Sequence, residues 1–137
     1  MKAARKQKTR LIAGGKYQVY LRKAKEFYQT MYSAEKVENW NVVGLNGVHC
    51  VISLIDALLV RHSGIRSIDE DHMAVIDLLT SATASKLKDV REKSKLARRV
   101  IAKKNLVAYE NRNFLKSEAL ELIKRAERFY RWALNQF

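Results

Sequence analysis

An all-α, up-and-down bundle of about five helices is the fold class this sequence predicts, on three observations. The 137 residues contain no proline and five glycines, so little in the chain interrupts a helix. Apolar residues recur at intervals of three and four along most of its length. One stretch, residues 41–64 (NVVGLNGVHCVISLIDALLVRHSG), is apolar with no charge before Asp56, about six helical turns of it. That is the composition of a helix wrapped by neighbours. A chain of this length holds one domain with a real core and is too short for two. Residues 1–15 are expected to be a basic flexible N-terminal arm, and residues 16–137 a single helical-bundle domain.

The arm ends in Gly14-Gly15. The first helix is expected from about Lys16 to Val37, where Tyr17, Tyr20, Leu21, Ala24, Phe27, Tyr28, Met31 and Ala34 form one apolar face. This aromatic stripe reads as core, because a base-stacking platform needs exposure. The central helix follows, with Gly44 and Gly47 three apart near its start, where small side chains permit close approach of another helix. Gly64 suits the left-handed position after its end. Asn46, His49, Ser53 and Asp56 share an arc of about 80° on this helix, which predicts an internal hydrogen-bonded network along one seam, the alternative being the back wall of a binding groove beside the basic helix. Ser67 and Glu70 fit a capping box for a third helix through Met73, Val75, Ile76, Leu78 and Leu79. His72 falls in its first turn, where the helix dipole disfavours a positive imidazolium and predicts a neutral ring. A fourth helix is expected from about Lys86 to Ala108, buried at Leu87, Val90, Ala97, Ile101 and Ala108. After the polar link at 109–113, a last helix from about Ser117 to Phe137 buries Ala119, Leu122, Ile123, Ala126, Phe129, Tyr130, Ala133 and Leu134.

Net charge is +13, and it is concentrated. Residues 1–13 hold five basic residues and no acid; residues 86–104 hold nine basic residues against Asp89 and Glu92. Charge gathered this way steers polyanions and invites phosphate contacts. The nucleic-acid-binding candidates are therefore Lys88, Arg91, Lys95, Arg98, Arg99 and Lys103. The alternative is a solvated basic face with no ligand. Cys50 is the single cysteine, which excludes an intramolecular disulfide and a multi-cysteine zinc site and fits a reducing, cytoplasmic setting. Polar positions within the central run argue against a membrane span, and no apolar signal core follows the basic N-terminus.

No phosphate-binding glycine loop, paired-cysteine site or His-Glu-x-x-His pattern is present, so no metal and no cofactor is expected. His49 and Asp56 lie two turns apart, too far for direct contact. RNA cleavage needs a cation at the scissile phosphate and a base for the ribose 2′-hydroxyl, yet the fourth helix carries no histidine. Arg66 and His72 stand six apart, and they read as a coincidence because they straddle a helix cap.

The layout resembles the HEPN family of small helical bundles. The matching features are His49, Ile52, Asp56, Ala57, Leu58 and Leu59 followed by Gly64; Asp71-His72 ahead of Val75-Ile76-Asp77-Leu78-Leu79; and Leu106-Val107-Ala108-Tyr109-Glu110 leading to a helix with Ala126-Glu127-Arg128-Phe129-Tyr130 near its end. The resemblance covers about residues 16–137. It implies a homodimer, and relatives that include toxin ribonucleases, partners of small nucleotidyltransferases, and nucleotide-binding or non-catalytic members. Catalytic members carry an arginine and, four to six residues later, a histidine; the best-aligned positions here are Lys104 and Tyr109. Lysine keeps the charge without the bidentate fork, and a tyrosine with a pKa near 10 is a poor base at neutral pH.

Three readings follow. The first is a non-catalytic binding protein contacting nucleic acid (RNA or DNA) or a partner protein through the basic helix, in a toxin–antitoxin or defence setting. The second is a metal-independent ribonuclease using Lys104, Asn105 and Tyr109, with Asp56 facing them. The third is a structural partner of a small nucleotidyltransferase.

Overall fold

The computed structural model describes residues 8–137, so the basic positions Lys2, Arg5 and Lys6 lie outside it. Helix α1 spans Tyr17–Lys36, α2 Trp40–Ser63, α3 His72–Thr83, α4 Val90–Ile101, α5 Lys104–Tyr109 and α6 Lys116–Leu134. Five substantial helices in an up-and-down bundle are what the periodicity required, and the sixth, α5, is a single short segment.

Helix α2 is the axis, touching each of the other five. From Cys50 to Val60 all but Ile52 are buried, which is why this run has no polar face to spare. It is long and apolar enough to cross a bilayer by length and composition, but 72% of its most apolar window is buried inside the protein. Around it pack Met31 of α1, Ile76 and Leu79 of α3, and Leu122 and Phe129 of α6, all fully buried or nearly so. Each such side chain contributes roughly 1.5–3 kcal/mol on leaving water. The aromatic stripe of α1 is packed as expected. Tyr28 stacks on Tyr130 with ring centroids 3.7 Å apart, Tyr17 stacks on Phe137, and the Tyr32 hydroxyl donates to Glu127.

Gly64 ends α2 in the left-handed conformation, φ 62°, with its N–H donating to the Val60 carbonyl at 3.0 Å. The two glycines early in α2 have the role their spacing implied. A Cβ on Gly44 would lie 2.7 Å from Val107 and 2.9 Å from the Phe114 ring, and one on Gly47 would lie 2.2 Å from Leu122.

Four local expectations are corrected. Thr9–Leu11 form strand β1, antiparallel to β2 at Ile65–Ser67, with Arg10 opposite Arg66; the sequence placed this stretch in a flexible arm. Ser67 is consequently a strand residue, and the cap of α3 is Asp71, whose carboxylate accepts from the Met73 N–H at 2.9 Å. The helix expected over 86–108 is two helices. Its first turn is replaced by turns up to Asp89, which has a left-handed backbone of φ 64°, and it breaks after Ile101. Ala108, expected inside, is exposed, because α5 turns to lay Leu106 and Val107 against the core.

Candidate functional site

Helix α4 buries Val90, Ser94, Ala97 and Ile101, at steps of four, three and four, together with Val100. Those spacings fix one stripe against α2, α3 and α6, and everything basic is forced outward. Arg91, Lys95, Arg98 and Arg99 are exposed on it, Lys88 is exposed just ahead of it, and Lys103 is half-buried just after it. All six predicted nucleic-acid-binding residues thus belong to one helix and its ends. Among the described residues, Arg98 is the one of these six in an ion pair, with Asp77 at 2.8 Å. Two grooves flank the helix. The one against α3, about 390 Å³, is lined by Arg91, Lys95 and Arg98 with Thr80, Ser81 and Ser94. The one against α6, about 240 Å³, has Arg99, Lys103 and Arg125 on its walls with Glu118 and Glu121.

The polar seam of α2 does not form the expected network. Among the described residues no hydrogen bond joins any two of Asn46, His49, Ser53 and Asp56. Asn46 donates to the Val42 carbonyl of its own helix at 2.9 Å, and the His49 ring lies 5.5 Å from that of Phe27. Asp56, 6% exposed, faces Arg66, its Oδ2 3.5 Å from the guanidinium Nε. At that length the pair attracts without a full hydrogen bond, and the buried Nε has no hydrogen-bond partner. Burial therefore wins over attraction, and the Asp56 carboxyl is pushed up from 3.8 to about 6.

His72 opens α3 and borders two cavities. One, about 310 Å³, is lined by Asp56, Arg66, Ser67 and Asp69; the other, about 270 Å³, by Glu70, Asp71, Lys104 and Asn105. Of the four candidate catalytic residues, Lys104 and Asn105 thus meet at His72, and Asp56 reaches it from the other side. Tyr109 lines neither cavity and is 77% exposed. Arg66 and His72, read from sequence as unrelated, share a cavity because β2 folds back over α2. A spacing of six residues was the available signal, and the strand pairing that gives it meaning is invisible in three residues of chain. Burial lowers the pKa of His72, with Lys104 and His49 adding to it; His49 is lowered by burial and then by Lys104. The expectation of a neutral His72 thus gains a physical cause other than the helix dipole. Its Nδ1 is buried with no hydrogen-bond partner. A neutral imidazole flanked by two cations can accept a proton near a bound anion. No group of three His, Cys, Asp or Glu that could hold a metal ion occurs among the described residues.

A helical bundle built on one buried axis, with a cationic edge helix and a histidine between two polar cavities, defines the class. The chain belongs to the HEPN domain family, whose match covers residues 17–136. Comparison with curated proteins and with solved structures gave no match.

Proposed function

We propose that this protein binds nucleic acid through α4 and its flanks, as a non-catalytic member of its family. The observation that carries the reading is that Lys88, Arg91, Lys95, Arg99 and Lys103 have no ion-pair partner among the described residues. The three acids of α6 are engaged elsewhere: Glu118 with Arg112 at 2.7 Å, Glu127 with Arg131 at 2.7 Å, Glu121 with Arg125 at 3.3 Å. Cations left unpaired on a rigid helix are available to phosphates, whose bound counterions are released on contact. Titration of labelled RNA and DNA at several salt concentrations tests this. Reversal of Arg98, Arg99 and Lys103 to glutamate is expected to weaken binding sharply and flatten its salt dependence; an unchanged affinity refutes the proposal. A toxin–antitoxin or defence setting is compatible with such binding.

A second reading is favoured by one observation, the neutral His72 between Arg66 and Lys104. In a metal-independent ribonuclease, His72 would take the proton of a ribose 2′-hydroxyl. The 2′-oxygen would attack the adjacent phosphorus and the P–O5′ bond would break, the 5′-oxygen taking a proton from water, giving a 2′,3′-cyclic phosphate and a 5′-hydroxyl. Arg66 or Lys104 would offset the charge developing on the phosphoryl oxygens. Cleavage of RNA in the presence of chelator, lost in His72→Gln and kept in Tyr109→Phe, is the expected pattern; cleavage undiminished in His72→Gln removes this reading.

A further inference from the structure

We propose that the groove between α3 and α4 is a backbone track for a single polynucleotide strand. The proposal rests on the reading of α4 as a nucleic-acid interface, and it names the side of the helix and the form of nucleic acid.

The two grooves beside α4 are not equivalent. That against α3 sets Arg91, Lys95 and Arg98 against one carboxylate, Asp77. That against α6 sets Arg99, Lys103 and Arg125 against two, Glu118 and Glu121, and Glu121 already engages Arg125. Each groove keeps two cations outside ion pairs, Arg91 and Lys95 in the first and Arg99 and Lys103 in the second, but an incoming phosphate meets one carboxylate in the wall of the first and two in that of the second. The α3 side also carries hydroxyls. Ser81 is exposed at the groove, and deeper in it the Thr80 and Ser94 hydroxyls lie 3.2 Å apart in a shared hydrogen bond, so this wall is polar without adding negative charge.

Spacing and shape select the ligand. Arg91, Lys95 and Arg98 stand at steps of four and three, so they cover about 10 Å of helix axis. A stacked strand advances ~3.4 Å per phosphate, so about three phosphates fit that run. A duplex is accommodated poorly. For α4 to enter a major groove it must protrude, whereas it is walled by α3 on one side and α6 on the other. No aromatic side chain lines the track, so no base stacks there and binding is expected to ignore sequence. At its far end Arg98 lies 3.8 Å from the Met73 sulfur, beside His72, so a strand in the track points toward the His72 cavities.

The test compares two double variants of the full chain, Arg91→Gln/Lys95→Gln and Arg99→Gln/Lys103→Gln. The probes are labelled single-stranded RNA and DNA of about ten nucleotides, and a duplex of the same sequence. The α3-side variant is expected to lose about tenfold in affinity at low salt and to flatten the slope of log K against log salt by roughly 1.4, two contacts at ~0.7 each. The α6-side variant should lose several-fold less, and the duplex should bind more weakly than either strand. RNA and DNA strands are expected to bind alike, since phosphates carry the contacts. Equal or reversed losses overturn the choice of groove, and tighter duplex binding overturns the choice of a single strand, while both leave the α4 interface standing. A wild-type chain that binds none of the probes removes the interface and the track together. Thermal melts of both variants exclude unfolding as the cause of any loss.

Discussion

Asp56 is the residue at which burial and charge compete most directly. Its folded-state value of about 6, against 3.8 unfolded, means that the folded chain keeps this proton to higher pH. Stability from this group is therefore greatest when Asp56 is protonated, falls as pH rises from about 4 through 6, and is level above that. The fall amounts to roughly 3 kcal/mol if no other group compensates. Glu118 works in a lower window and the opposite sense. Its pairing with Arg112 pulls it from 4.5 to about 2, so its stabilisation is lost only as pH drops below about 4.5. Denaturant unfolding measured across that upper window is expected to show a downward slope with pH in the wild type and a flat line in Asp56→Asn. A slope that survives in the variant assigns the effect to another carboxyl. That Asp56 matters was legible, because it is the first charge in an otherwise apolar run. Its partner was not, because Arg66 reaches it only through β2, a strand of three residues with no propensity signal of its own.

At the scale of elements, the legible features were those written as small or missing side chains, and the illegible ones were set by tertiary contact. Gly44 and Gly47 announced close approach three residues apart, and α5 and α6 are what approach. The break between α4 and α5 carries no glycine or proline; it exists because Leu106 and Val107 gain burial against α2 by leaving the α4 axis. Likewise Ser67 has a good capping sequence, yet strand pairing claims it and Asp71 caps α3 instead. The two glycines should differ in consequence. Leu122, the neighbour of Gly47, is 2% exposed and would meet a Cβ there inside the core. The nearest neighbour of Gly44 is instead Val107 of α5, which contains no buried residue and can lift, with the buried Phe114 ring behind it yielding less. Gly47→Ala is expected to cost about 1–3 kcal/mol in global stability. Gly44→Ala should instead raise amide hydrogen exchange over residues 104–109 with a smaller global loss. Exchange that rises equally throughout the chain in Gly44→Ala would show that α5 is integral to the core.

Over the whole molecule, the same charge that fits a polyanion works against the fold. Cations gathered on and around α4 repel one another, and few of them are paired, so part of the folding free energy is opposed by self-repulsion at low ionic strength. Of the surface pairs that exist, Arg98–Asp77 and Arg131–Glu127 are open to solvent on at least one side and individually worth little, while the two-pronged Arg112–Glu118 pair is the stronger exception. Salt screens both kinds of interaction, with a Debye length of about 10 Å at 0.1 M. Repulsion has more partners than attraction here, so added salt should stabilise the folded chain. The wild-type Tm is expected to rise by about 3 °C between low and moderate ionic strength, which corresponds to roughly 1 kcal/mol in a domain of this size. Arg91→Gln/Lys95→Gln should begin with a higher Tm at low salt and respond less to added salt. The variant that loses nucleic acid would then gain stability, the relation expected where a surface is kept charged for a ligand. A wild-type Tm that falls with salt would mean that the ion pairs outweigh the repulsion. The basic face would then be part of what holds the bundle together, no longer a cost set aside for binding.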